Sequence, residues 1–280
     1  MTGRSNEKMI IEQTIELLKS RYSGRIETLS IADVRIGISM TAVKLSDGSC
    51  GVSSTFTNET QHSRKGNRDY GDFSPLKIRG HKVIELLETE KSSGIITTLR
   101  IACLNAISSQ IVSAGSYNIL ENRDPIDLFD LSIPRTITIV GAFHSYISRI
   151  SGTQNRLYVL ELNENEIGPE ERQFFVPAGE YKRVLPESDI VIITGLTLVN
   201  NTIDELLKSV PEKSSVVVAG PSGSIIPDVL FANGVSIIGA TRITKPDVLF
   251  DLISEGGGGY HLFEYCAQKI CILRDYEAWA

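Results

Sequence analysis

The order of apolar and polar positions divides the chain into two unlike halves. In the first, Ile11, Ile15, Leu18 and Tyr22 recur at helical spacing with Glu and Lys opposite. This predicts a helix over residues 6–21, ended by Gly24. Three strand-like runs follow at 26–31, 38–45 and 50–56. Ser46-Asp47-Gly48-Ser49 between the last two predicts a hairpin turn, because Asp-Gly accepts the positive φ such turns require. Further helices are expected at 82–91 and 94–112. In the second of these, Ile95, Leu99, Ala102, Cys103, Ala106 and Ile107 form an apolar face, with Asn105 on a different face. Residues 113–135, with Asp124-Pro125 and Pro134, read as a linker.

Beyond Pro134 the pattern changes to strand alternating with helix, the mark of a parallel sheet. Continuous Val/Ile runs predict strands at 136–140, 156–162, 189–193, 215–219 and 235–238, buried on both faces. Helices fit between them, including about 202–209, 226–233 and 246–254. The expected architecture is α/β: an α+β domain over 1–133, then a Rossmann-like parallel-sheet domain over 134–280.

Composition adds exclusions. The 280 residues are 41% hydrophobic and 22% charged, an ordinary globular balance with enough apolar material for a core. The polar start has no secretory pattern, and no run reaches the roughly 18–20 apolar residues of a membrane span. A cytoplasmic protein without membrane contact is therefore expected. Net charge is −6, but residues 1–135 carry 17 basic against 16 acidic groups, so the deficit lies in the second half. The one basic cluster, His62, Arg64, Lys65 and Arg68, is interleaved with Asp69 and Asp72. Nucleic acid is not expected as a partner, because phosphate neutralisation requires a basic stripe. Cys50, Cys103, Cys266 and Cys271 form no CxxC pair, and packing is their expected role. From 57 to 80 the chain is long, polar and rich in Asn, Ser and Gly. A mobile flap and a plain surface loop both fit it.

Open α/β sheets bind ligands at the carboxyl ends of their strands, and the candidate chemistry gathers there. Val140-Gly141-Ala142-Phe143-His144 has one glycine where a dinucleotide turn has GxGxxG, which counts against NAD or FAD. Glu161 stands 20 residues after Gly141, where a Rossmann domain places a carboxylate for ribose hydroxyls. Thr194-Gly195 leads into Asn200, Asn201 and Thr202, more hydrogen-bonding side chains than one helix cap requires. Gly220-Pro221-Ser222 offers backbone and hydroxyl donors, but has neither the Lys of a P-loop nor the GxSxG of an esterase.

Several of these runs resemble a prokaryotic family of unknown function named for heavy-metal chelation. They are Ile36-Gly37 with Thr41-Ala42-Val43, Ala102 to Asn105-Ala106, Val140-Gly141-Ala142-Phe143, the TGLTLVNNT run and Gly220-Pro221-Ser222. The resemblance implies an enolase-N-terminal-like domain followed by a Rossmann-like one. It also implies a site between them, completed across a homodimer, with Asn105 facing the cleft. The long polar insert near 57–80 departs from the family pattern.

The leading expectation is an interdomain cleft for a small anionic or chelating ligand, with a divalent or heavy metal as the implied cofactor. Asn105, Gly141, Phe143, His144, Glu161, Thr194, Gly195, Asn200, Asn201, Thr202, Gly220, Pro221 and Ser222 would line it. Two rivals stand beside it: an enzyme using an adenine-containing cofactor (a methyltransferase or a dehydrogenase), and a sensor or interaction module without catalysis.

Overall fold

The computed structural model describes residues 8–56, 71–115 and 117–274. Most of the segment expected to be a flap therefore lies outside the described residues. The chain forms helix α1 (Ile10–Ile26), then strands β1 (Ile31–Ile36), β2 (Met40–Leu45) and β3 (Cys50–Ser54) in an antiparallel sheet of that order. Two expectations change here. The regular helix breaks at a kink at Tyr22 (φ −134°), next to the expected end at 21, but a short second segment carries α1 through Gly24 to the buried Ile26, since a helical glycine costs only about 1 kcal/mol. The 26–31 run is the end of α1 and the turn after it, not a strand. The Asp47-Gly48 turn forms as expected. Gly48 sits at φ +86°, and the Asp47 carboxylate accepts from Ser49 N at 3.0 Å and Ser49 Oγ at 2.7 Å.

Helix α2 (Val83–Glu88) leads to α3 (Gly94–Ala114), on which the small sheet packs. The approach is close: a Cβ on Gly51 would stand 2.2 Å from Ala102 O. α3 is the one described helix long and apolar enough to cross a membrane, with a mean hydropathy of 1.4, and here it is largely buried inside the protein.

The second half builds one large sheet from β4 (Asn118–Glu121), β5 (Thr136–Val140), β6 (Arg156–Glu161), β7 (Phe175–Pro177), β8 (Ile190–Thr194), β9 (Ser215–Ala219), β10 (Ile237–Ile243) and β11 (Ala267–Leu273). The strand order is β4-β11-β10-β9-β8-β5-β6-β7. From β7 to β10 every pairing is parallel, and β11 and β4 extend the edge antiparallel. The expected linker thus contributes β4 to the sheet. The strand expected at 235–238 is longer, because β11 pairs along it from Ile237 to Ile243. Among the described residues this half carries the α-helices α4 (His144–Ser151), α5 (Tyr181–Val184), α6 (Leu196–Val199), α7 (Ile203–Lys208), α8 (Pro227–Ala232), α9 (Pro246–Ser254) and α10 (Gly259–Tyr265).

The two halves share their core. Leu18, Leu86, Leu99 and Leu104 from the first half pack in one cluster with Val140, Leu160, Ile193 and Val218 from the large sheet. The sheet's other face, with Ile139, Val159 and Ile192, packs on Tyr146, Ile147 and Ile150 of α4. Much of the expected cleft between the halves is therefore filled with packed apolar side chains.

Candidate functional site

In the order β7-β6-β5-β8-β9-β10 the connections reverse direction between β5 and β8. The strands stay paired to Val140 and Ile193, and the chain leaves them toward opposite faces of the sheet, which is where an open α/β sheet leaves a crevice. Gly141 ends β5 at φ +104°, a conformation L side chains rarely adopt. It allows the chain to leave the strand and enter α4 within three residues. A Cβ there would also meet Thr194 Cγ2 at 3.0 Å.

Two hollows flank this turn and share Ala142. The smaller, of about 320 Å³, lies over the ends of β5, β6 and β8. Gly141, Glu161, Thr194, Asn200 and Thr202 line it, together with Leu160, Leu162, Tyr181, Leu196 and Glu205. Glu161 Oε1 accepts backbone N–H bonds from Leu162 at 2.7 Å and Asn163 at 3.1 Å. Its Oε2 is bonded to none of the described residues. Asn200 Oδ1 accepts from Thr202 N at 3.2 Å and Thr202 Oγ1 at 2.7 Å, so the amide is fixed while its NH2 group is left without a partner among those residues. Tyr181 donates to Glu205 at 2.8 Å across the same hollow. Tyr181 and Glu205 carry no sequence signal of their own; only the fold brings them here.

The larger hollow, of about 880 Å³, lies over the end of β9 and the middle of β10. Phe143, His144, Gly220 and Pro221 line it. His144 Nδ1 is 2.8 Å from Glu171 Oε2, which also accepts from Gly168 N at 3.0 Å, so the imidazole is held by its own neighbourhood.

Four expected site residues line neither hollow. Asn105 is buried, and its Nδ2 donates to Val52 O at 2.7 Å, Pro221 O at 3.1 Å and Ser222 O at 3.3 Å. It ties α3 to β3 and to the turn after β9, inside the junction rather than on a cleft wall. Ser222 is buried as well, accepting from Ser54 N at 2.8 Å and bonding Ser54 Oγ at 3.1 Å. Gly195 is a contact glycine: a Cβ on it would stand 2.3 Å from Gly223 N. Asn201 is exposed at φ +59°, where Asn is better tolerated than most residues.

The donor set does not fit a heavy-metal centre. Among the described residues no three His, Cys, Asp or Glu side chains converge. The four thiols are buried. Burial pushes Cys50 up to about 11 and Cys103 and Cys271 up to about 12, away from the thiolate a soft metal requires.

Sheet order, turn and flanking hollows define a mixed α/β protein with a crevice at its topological switch point. The chain belongs to the DUF364 family, whose model, described as "Putative heavy-metal chelation", matches residues 124–272. A companion model with the same description, DUF4213, matches residues 19–108. An uncharacterized protein of Methanocaldococcus jannaschii is 25% identical over 249 residues, 85% of this chain and 88% of that protein. A DUF364 protein of unknown function from Pyrococcus horikoshii superposes with a TM-score of 0.73 at 21% identity, covering 94% of this chain and 98% of that one. Another, from Desulfitobacterium hafniense, gives 0.69 at 18% identity, covering 94% and 99%. At these identities the two structures show the shared fold alone.

Proposed function

We propose that the protein binds a small nucleoside-bearing molecule lacking a pyrophosphate, seated in the smaller hollow at the ends of β5, β6 and β8. The observation that carries this reading is the Glu161 carboxylate. One oxygen is pinned by two backbone N–H groups, and the other, beside the Gly141 turn, is bonded to none of the described residues. A carboxylate at the end of the second parallel strand, held this way, is a ready acceptor for two ribose hydroxyls. The apolar Leu160, Leu162 and Leu196 supply walls for a base, and the Asn200 NH2 supplies a donor.

The turn argues against a dinucleotide. Counting from Gly141, the second and third glycine positions of GxGxxG are Phe143 and Tyr146. The second glycine lets backbone approach the pyrophosphate, and a side chain there obstructs it. Among adenine-containing cofactors this favours S-adenosylmethionine over NAD. The family description names heavy-metal chelation, but the described residues offer no ligand set for a bare ion.

Titration calorimetry of the intact chain with adenosine, S-adenosylmethionine and NAD tests the reading. The first two are expected to bind at sub-millimolar concentration. Glu161→Gln is expected to weaken both by roughly tenfold, the loss of a charge-assisted hydrogen bond. No heat at millimolar ligand, or equal affinity in the variant, would overturn it.

A further inference from the structure

We infer that the larger hollow is a second binding site, built for a planar aromatic acid. It stands on observations separate from those that support nucleoside binding.

Its floor is the first of them. Ala219 and Gly220 close β9 and Gly239 and Ala240 lie midway along β10 beneath the hollow, and none carries more than a methyl group. They leave about 880 Å³ above them, a volume suited to a small organic ligand rather than to a few waters.

The walls are aromatic on both sides. Phe143 and Tyr146 stack with centroids 5.2 Å apart and planes inclined by 15°. Tyr260 and Phe263 of α10 line the hollow as well, and Tyr260 is 78% exposed. A large ring left in solvent at the rim of a hollow already lined by rings offers a stacking face to a flat guest.

The charges decide what the guest must carry. Asp124 is occupied twice, by Lys269 Nζ at 2.6 Å on one oxygen and by the Tyr146 hydroxyl on the other. Lys269 is thereby committed too, and also lies 5.3 Å from the Phe263 ring centre. Glu264 takes a hydrogen bond from Tyr265 and holds that phenol's pKa up, which occupies the carboxylate without neutralising its charge. Arg123 remains. It lines the hollow, and its guanidinium has neither a hydrogen bond nor an ion pair to the described residues. A guanidinium that lines the hollow with no carboxylate bonded to it among the described residues presents a planar fork that matches a carboxylate.

The test is calorimetric titration of the intact chain with 2-naphthoate and, as the neutral isostere, 2-naphthamide. The acid is expected to bind roughly tenfold more tightly than the amide. Arg123→Gln, on an exposed side chain, is expected to reduce the acid to the affinity of the amide and leave the amide unchanged. Phe263→Leu is expected to weaken both. Glu161→Gln is expected to alter neither, so failure here and failure of the nucleoside reading are told apart. Equal binding of acid and amide, an Arg123→Gln variant that keeps the acid's affinity, or no binding at millimolar ligand would overturn the inference.

Discussion

Phe143 stacks on Tyr146, ring centres 5.2 Å apart, in the two positions where a dinucleotide-binding turn carries glycine. Tyr146 is buried and donates its hydroxyl to Asp124, and burial raises its pKa. The pair therefore holds the first turn of α4 in place. It also stands where a pyrophosphate would approach. Phe143→Gly is expected to raise NAD affinity relative to adenosine by roughly fivefold, since it restores close backbone approach. Competition titration of the two ligands against variant and parent reads the ratio; an unchanged ratio would mean that the stack does not select.

Gly195 and Gly223 carry the next prediction. With backbone at 2.3 Å from the position of a Cβ, Gly195→Ala forces main chain against main chain after β8 and β9. It is expected to destabilise the fold by about 3 kcal/mol, the upper range for overpacking. Gly179→Ala is the control: it lines the smaller hollow, but a Cβ there meets nothing within 4 Å. It should stay within about 0.5 kcal/mol. Denaturant unfolding of both variants compares them directly.

Asn105 is expected to behave as an internal tie. Asn105→Ala strands three carbonyls that its Nδ2 now serves and should cost about 2 kcal/mol. Asn105→Asp sets a carboxylate against those carbonyls and should cost about 4 kcal/mol. Chemical denaturation ranks the two; if Asp is no worse than Ala, the amide does not serve as the tie described.

The thiols give a prediction about reactivity. With Cys50 near 11 and Cys103 and Cys271 near 12, roughly one thiol in a thousand or fewer is ionised at pH 8, and all four cysteines are buried. A disulfide reagent at pH 8 is expected to label the native chain negligibly over minutes and all four cysteines after denaturation. Rapid labelling of the native protein would reopen a thiolate site.

The fold was legible where its causes are local. Runs such as Val216-Val217-Val218 and Ile190-Val191-Ile192-Ile193 ending on small residues announce buried parallel strands, and each formed close to its expected bounds. β7 was not legible, because three residues, Phe175-Val176-Pro177, carry no periodicity. Nor was β4, whose place depends on β11 from the far end of the chain. The candidate site divides along the same line. Gly141, Glu161 and Asn200 sit at strand ends, and strand ends can be read from the sequence. Asn105 and Ser222 resemble site residues because a polar side chain aimed at a neighbouring backbone has the same letter as one aimed at a ligand. Arg123, Tyr181 and Phe263 reach their hollows from remote segments, and nothing in their local sequence distinguishes them.

The most direct measurement of the central claim is a crystal structure of the protein soaked with adenosine. The nucleoside is expected in the hollow over β5, β6 and β8, with its ribose hydroxyls within hydrogen-bond distance of Glu161 Oε2. Adenosine bound elsewhere, or a ribose turned away from Glu161, would contradict it.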